Sequence, residues 1–242
     1  MNLAVDIGNT RIKIGVFAND NLVFKTETSE SVFEDTLNTV LKEHDLTTAI
    51  VAASGNSQKV VTLLQKSGLL VKILDHKITL PFKNLYKTPQ TLGLDRVALV
   101  AAAVKSYPDK DVLVIDAGTC VTYDFKNKSE EYLGGSISPG LQMRFKALNT
   151  FTAGLPLIES GDDVVRIGAD TKEAIQSGVI WGITAEINGV IDWYKNKYND
   201  LTIILTGGDM LFLSKTLKNG IFANSNFLLE GLNYLILFNK NQ

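Results

Sequence analysis

Two hydrophobic runs of this chain end in the same way. Asn2 to Asp6 passes into Asp6-Ile7-Gly8-Asn9-Thr10, and Val112 to Ile115 passes into Asp116-Ala117-Gly118-Thr119. A short apolar run closed by an acid and a glycine reads as a strand entering a tight turn. The likeness continues downstream. From Arg11 to Phe17 the residues alternate, with Ile12, Ile14 and Val16 on one face and Arg11, Lys13 and Gly15 on the other, the pattern of a half-exposed strand. Val121 to Phe125 alternates likewise. Asn19-Asp20-Asn21 and Asn127 to Ser129 supply turns, and Leu22 to Thr26 and Glu131 to Gly135 return as third strands. A strand, an acidic glycine turn and two more strands thus occur twice. That predicts an internal duplication, with halves at residues 1–110 and 111–242.

Around the two meanders helix and strand patterns alternate, which makes the fold class α/β. Ser31 to Lys42, Gln58 to Lys66, Asp95 to Ser106, Leu141 to Ala147, Thr171 to Tyr194 and Leu228 to Phe238 read as helices. Ala49 to Ala53, Val71 to Leu74 and Leu201 to Leu205 read as strands, the last running into Thr206-Gly207-Gly208-Asp209. Pro81 to Gln90, carrying Tyr86, and the glycine and proline segment Gly134 to Gly140 read as loops. The helix from Thr171 carries Gly178, Gly182, Ala185 and Gly189 at mostly four-residue steps. Interior glycine costs about 1 kcal/mol relative to alanine, so this stripe predicts close packing, either a helix crossing within the chain or a subunit interface.

Composition removes several classes of function. With 24 Lys plus Arg against 26 Asp plus Glu, the net charge of -2 offers no basic field for a polyanion, and nucleic acid is not an expected partner. One cysteine, Cys120, makes no internal disulfide, and His44 and His76 alone make no histidine-rich metal site. A reducing cytoplasm is the expected compartment. The longest apolar stretches, Val97 to Val104 and Leu232 to Phe238, fall short of the roughly 20 residues that span a bilayer, and no secretory signal is expected at the start. Neither a P-loop, a dinucleotide fingerprint nor a G-x-S-x-G elbow occurs.

A strand ending in Asp before a glycine turn places a carboxylate beside backbone N–H groups. Phosphate oxygens accept from such amides while the carboxylate holds a hydrated divalent cation. A single turn of this kind is also an ordinary hairpin cap. Two of them, with a third glycine turn at Gly207-Gly208, point to a nucleotide. The string T-L-G-L-D-R at Thr91 to Arg96 adds an acid and a guanidinium at a helix start. Asp95 is there either an N-cap or the group that takes an acceptor hydroxyl's proton, and Arg96 either a surface charge or the seat of an anionic acceptor.

Taken in order, D-I-G-N-T-R-I-K at Asp6 to Lys13, G-L-D-R at Gly93 to Arg96, D-A-G-T at Asp116 to Thr119, G-G-S-I-S-P-G at Gly134 to Gly140 and T-A-G-L-P at Thr152 to Pro156 closely resemble type III pantothenate kinase. The resemblance runs from Asp6 through Gly208. It implies a duplicated ribonuclease-H-like (actin-like ATPase) fold with a nucleotide cleft between two halves. It also implies transfer of the ATP γ-phosphate to pantothenate, giving 4'-phosphopantothenate on the way to coenzyme A. By motif position, Asp6, Ile7, Gly8, Asn9, Thr10, Arg11, Ile12 and Lys13 form the phosphate-binding turn and Asp95 is the general base. Tyr86, Gly93, Leu94 and Arg96 contact pantothenate, Asp116 binds a monovalent cation, K+ or NH4+, and Thr119 contacts ATP, which carries Mg2+. Thr171 corresponds to a threonine given by the other subunit of a homodimer.

Leu94 replaces the family's usual small residue and Cys120 its common alanine; neither change removes a functional group. Lys13 is read equally as an assisting cation or a solvated strand lysine. Two alternatives remain at the level of sequence: a non-catalytic nucleotide-binding accessory factor for transcription, as some members of this family were first described, and another small-molecule kinase of the same superfamily.

Overall fold

The computed structural model describes residues 1–8, 11–53, 58–161, 163–218 and 220–240. Strands β1 (Asn2–Ile7), β2 (Ile12–Ala18) and β3 (Asn21–Thr28) form the opening meander. Helix α1 (Phe33–Glu43), β4 (Thr48–Ala53), α2 (Gln58–Lys66) and β5 (Leu70–Ile73) follow. The two-residue strand β6 (Lys83–Asn84), a 3-10 turn at Pro89–Thr91 and α3 (Leu94–Ser106) come next. The second meander comprises β7 (Val112–Ala117), β8 (Cys120–Lys126) and β9 (Glu131–Pro139). Then come α4 (Leu141–Thr150), α5 (Thr171–Lys197), β10 (Thr202–Thr206), α6 (Met210–Ser214), β11 (Phe222–Ala223) and α7 (Phe227–Phe238).

The duplication is explicit in the topology. One sheet has the order β3-β2-β1-β4-β5, and the other runs β11-β10-β7-β8-β9-β6, so both place their first strand centrally with the second and third on one side and two later strands on the other. β1 is antiparallel to β2 and parallel to β4, and β7 is likewise parallel to β10. The central strands even share one burial pattern, buried throughout except at the fifth residue, which is Asp6 in β1 and Asp116 in β7. Central strands covered on both faces are continuously apolar, so packing alone does not account for a lone acid at the same place in each.

The chain groups into two compact units, one of Met1–Asp109, Lys126–Gly134 and Asn226–Gln242, the other of Lys110–Phe125 and Gly135–Ser225. Residues 126–134 and 226–242, assigned from sequence to the second half, therefore belong with the first unit. The physical reasons are specific. Lys126 is buried, and its ammonium is held by Glu130 at 2.7 and 2.9 Å and by the Tyr107 carbonyl at 2.7 Å. Helix α7 packs on α3 so closely that a Cβ on Gly231 would overlap the Ala98 carbonyl, and Asn233 accepts from Asn2 at 2.9 Å. Leu229 of α7 also lies where a side chain on Gly15 would go, so the second face of β2, expected to be exposed, is covered at Gly15 and Phe17.

The first unit's core joins Leu3, Val5, Ile12, Ile14 and Val16 to Phe33, Leu37 and Val40 of α1 and Val60 and Leu64 of α2. The second unit's core joins Leu113, Ile115, Val121 and Tyr123 to one face of α5 through Ile175, Val179, Ile183, Ile187 and Ile191. Gly134 to Gly140, expected as a loop, is mostly strand. A Cβ on Gly135 would overlap the Tyr123 carbonyl, so the glycine there lets β9 approach β8 rather than breaking the ladder.

Candidate active site

In the first unit, Asp6 sits opposite Lys13 on β2 and Ala52 on β4. Burial pushes its carboxyl up to about 6, the Lys13 ammonium works against that shift and the Asp95 carboxylate adds to it. Asp6, Lys13 and Asp95 therefore share one electrostatic neighbourhood. The turn after Asp6 closes through Gly8, whose N–H donates to the Arg11 carbonyl at 3.1 Å. Ile7 and Ile12 are buried, and Arg11 is exposed, paired with Glu27 at 3.1 Å. Asn9 and Thr10 lie outside the described residues.

Helix α3 begins beside this turn's carboxylate neighbour. Its N-cap is Gly93, with no side-chain cap, so Asp95 is not the N-cap. The Asp95 carboxylate instead accepts from the Arg96 N–H at 2.8 Å and folds back over Gly93, where a Cβ would overlap it. Glycine at this position leaves room for the carboxylate at the helix start. Leu94 is half-buried beside it. Arg96 is 4% exposed, so it is no surface charge; its guanidinium lies 5.7 Å from the centre of the Tyr86 ring. Tyr86 in turn stacks on buried Tyr132 with centroids 6.1 Å apart and lies against Gly134, whose φ of 106° suits glycine. Asp95, Arg96 and Tyr86 are thus brought together, and Tyr132 and Gly134 join them without having been singled out individually.

In the second unit, the Asp116 carboxylate lies where a Cβ on Gly207 would fall, and Gly207 has φ 98°. The Gly118 N–H donates to the Cys120 carbonyl at 3.0 Å, repeating the closure at Gly8. Thr119 is exposed, and its carbonyl accepts from the Gly140 N–H at 3.1 Å. Asp209 follows the third glycine turn, donates its N–H to Ala117 at 2.9 Å and has its carboxyl raised by burial. The G-G-D string was visible in the sequence; only the parallel pairing of β7 with β10 brings it to Asp116. Cys120 is half-buried at the base of the turn.

Thr171 is the exposed first residue of α5, after Asp170, which caps the helix by accepting from Glu173 N–H at 2.8 Å. On the same helix, apart from the helix's own adjacent backbone, no atom of the described residues comes within 4 Å of where a Cβ would stand on Gly178, Gly182 or Gly189. Among the described residues, these glycines meet no crossing helix. No described helix is long and apolar enough to cross a membrane.

A duplicated sheet with an acid near the end of each central strand is a duplicated ribonuclease-H-like fold, the class to which this chain belongs. Solved structures agree. A conserved putative Baf family transcriptional activator from Campylobacter jejuni matches with TM-score 0.65 and 22% identity over 99% of this chain and 100% of that one. A putative N-acetylmannosamine kinase from Listeria monocytogenes matches with TM-score 0.56 and 14% identity over 99% of each. At these identities the likeness shows the fold alone. Within the class, the family model for type III pantothenate kinase matches residues 2–193. Proteins named type III pantothenate kinase are 51% identical in Christiangramia forsetii, over 100% of both chains, and 44% in Bacteroides fragilis, over 100% of both. This chain belongs to the type III pantothenate kinase family. It is therefore an ATP-dependent kinase, and kinases of this kind generally use ATP with a divalent metal.

Proposed function

We propose that the chain transfers the γ-phosphoryl group of ATP to the primary hydroxyl of pantothenate, giving 4'-phosphopantothenate for coenzyme A biosynthesis, with Asp95 as the general base. The observation that carries this assignment is the Asp95 carboxylate held at the start of α3, in the electrostatic neighbourhood of Asp6 and beside buried Arg96 and Tyr86. Arg96 offers a planar fork to the pantothenate carboxylate, and Tyr86 gives the acceptor an apolar wall. Asp95 then takes the hydroxyl proton as the new P–O bond forms, and the old bond's electrons leave on ADP.

The residues suit the expected cations. Asp6 is a carboxylate whose ionised form burial disfavours, so a bound divalent ion would stabilise it, and one carboxylate plus substrate phosphates is an ordinary Mg2+ donor set. Mg2+ supplies positive charge at the phosphoryl oxygens. Asp116, on the glycine cradle of Gly118 and Gly207, would hold K+ or NH4+, with Thr119 toward ATP. A cytoplasmic location goes with this reading. Turnover of ATP against pantothenate, N-acetylmannosamine and acetate tests it. Turnover is expected to require pantothenate and to fall when Na+ replaces K+ and NH4+. Equal rates with all three acceptors, or none with pantothenate, would overturn it.

The open glycine stripe of α5, with Thr171 at its start, supports a homodimer in which Thr171 completes the partner's pantothenate pocket. A two-fold interface repeats every contact, so mixing decides this. Asp95→Asn and Thr171→Arg chains are each expected to be nearly inactive alone and to recover activity after subunit exchange, because one hybrid pocket keeps both residues. Verified exchange without recovery counts against the shared pocket.

A further inference from the structure

We propose that Arg144 is a positioning residue for the Asp116 turn, acting with Glu186 and Tyr123 to hold the Ser138-Pro139-Gly140 segment against Gly118 and Thr119. The inference rests on the reading that this turn serves ATP and the monovalent cation.

Arg144 on α4 reaches in three directions. Its Nε donates to the Pro139 carbonyl at 2.9 Å, and its Nη2 donates to Ser138 Oγ at 2.8 Å and to Glu186 Oε2 at 2.5 Å. Glu186, on α5, accepts at its other oxygen from the Tyr123 hydroxyl at 2.9 Å. Burial disfavours the Glu186 carboxylate, but hydrogen bonds from Arg144, Ser138 and Tyr123 outweigh it and hold the carboxyl below its ordinary value. The fork is thereby fixed between an anchored carboxylate on a 27-residue helix and the two residues preceding Gly140.

Gly140 is the point of delivery. Its N–H donates to the Thr119 carbonyl at 3.1 Å, and it lies so close that a Cβ would overlap the carbonyls of both Gly118 and Thr119. The backbone of the Asp116 turn therefore leans on Gly140, and Gly140 is located by the two residues Arg144 grips. A lysine would not reproduce this, because three separate acceptors need the planar fork. A network that only joined α4 to α5 would not need the Pro139 and Ser138 bonds.

The test uses the full chain, with ATP KM, K+ half-saturation and pantothenate KM measured for Arg144→Met, Arg144→Lys and Tyr123→Phe. Arg144→Met is expected to raise ATP KM and K+ half-saturation each about tenfold, the scale of one charge-assisted hydrogen bond, with pantothenate KM unchanged. Arg144→Lys should follow it in the same direction. Tyr123→Phe keeps the ring, removes one donor to Glu186 and should give a smaller rise of the same two constants, which keeps the test available if Arg144→Met does not fold. A lowered melting temperature with all three constants unchanged, or a pantothenate KM rising as much as that of ATP, overturns the proposal. Asp116→Asn is measured alongside. If it blunts the K+ response and the Arg144 variants do not, the clamp alone is wrong; if it leaves the response intact, the reading of the turn fails and the clamp with it.

Discussion

Asp95→Asn is expected to fold, to bind ATP and to lose about 10²- to 10⁴-fold in kcat, the usual contribution of a general base. Asparagine keeps the shape of the side chain and an oxygen for the Arg96 N–H, which donates to Asp95 at 2.8 Å, so the start of α3 is preserved. What disappears is the basic oxygen proposed to take the acceptor hydroxyl's proton. The same change removes a negative charge that raises the Asp6 carboxyl, so the Asp6 titration should move down. Measuring kcat and nucleotide affinity together against pH checks both halves of the expectation. A kcat within about threefold of the unchanged protein takes Asp95 out of this role.

The parts of the fold that were legible in sequence are those fixed by local periodicity. Helix α2 falls at Gln58–Lys66, where its apolar spacing put it, and the duplicated meanders were readable because alternation and turn chemistry are local signals. Strands β6 and β11 have two residues each and are defined only by pairing with β9 and β10, so nothing in their own residues announces them. Helix α7 is apolar on nearly every side, which signals burial without naming what buries it; its place in the first unit depends on Gly231 meeting Ala98. Glycine content hides the extent of β9, which runs on from Gly135 to Pro139 where glycine and proline suggest a loop; Gly135 instead closes a sheet spacing. At the site, the acids could be found because each stands alone at the end of an apolar strand. Tyr132 and Glu186 could not, since their roles lie in tertiary contacts with Tyr86 and Arg144.

Asp6→Asn is expected to abolish activity and yet to make the protein more stable at neutral pH. The Asp6 carboxyl sits at about 6 in the folded chain against an ordinary 3.8, chiefly because burial penalises its charge, with Lys13 opposing and Asp95 reinforcing the shift. A carboxyl whose folded value is raised binds its proton more tightly when folded. The folded state is therefore relatively favoured below about pH 4 and loses that advantage as pH rises through about 6. Two pKa units correspond to about 3 kcal/mol, fully present as a penalty above the folded value. Asparagine carries no charge and escapes it, so without nucleotide or divalent cation its melting temperature should exceed that of the unchanged chain at pH 7.5. At about 2–4 °C per kcal/mol for a chain of this size, the gain is roughly 6–12 °C at most. The gap should close by pH 4. Lys13→Met should act in the opposite sense, raising the Asp6 carboxyl further and deepening the neutral-pH penalty, because it removes the one cation that offsets burial. A gap that persists unchanged from pH 7.5 to pH 4 would show that Asp6 is not held as a strained charge. A gap that closes would mean the chain keeps a destabilising carboxylate near the end of β1, as a site residue kept for binding rather than for stability would be.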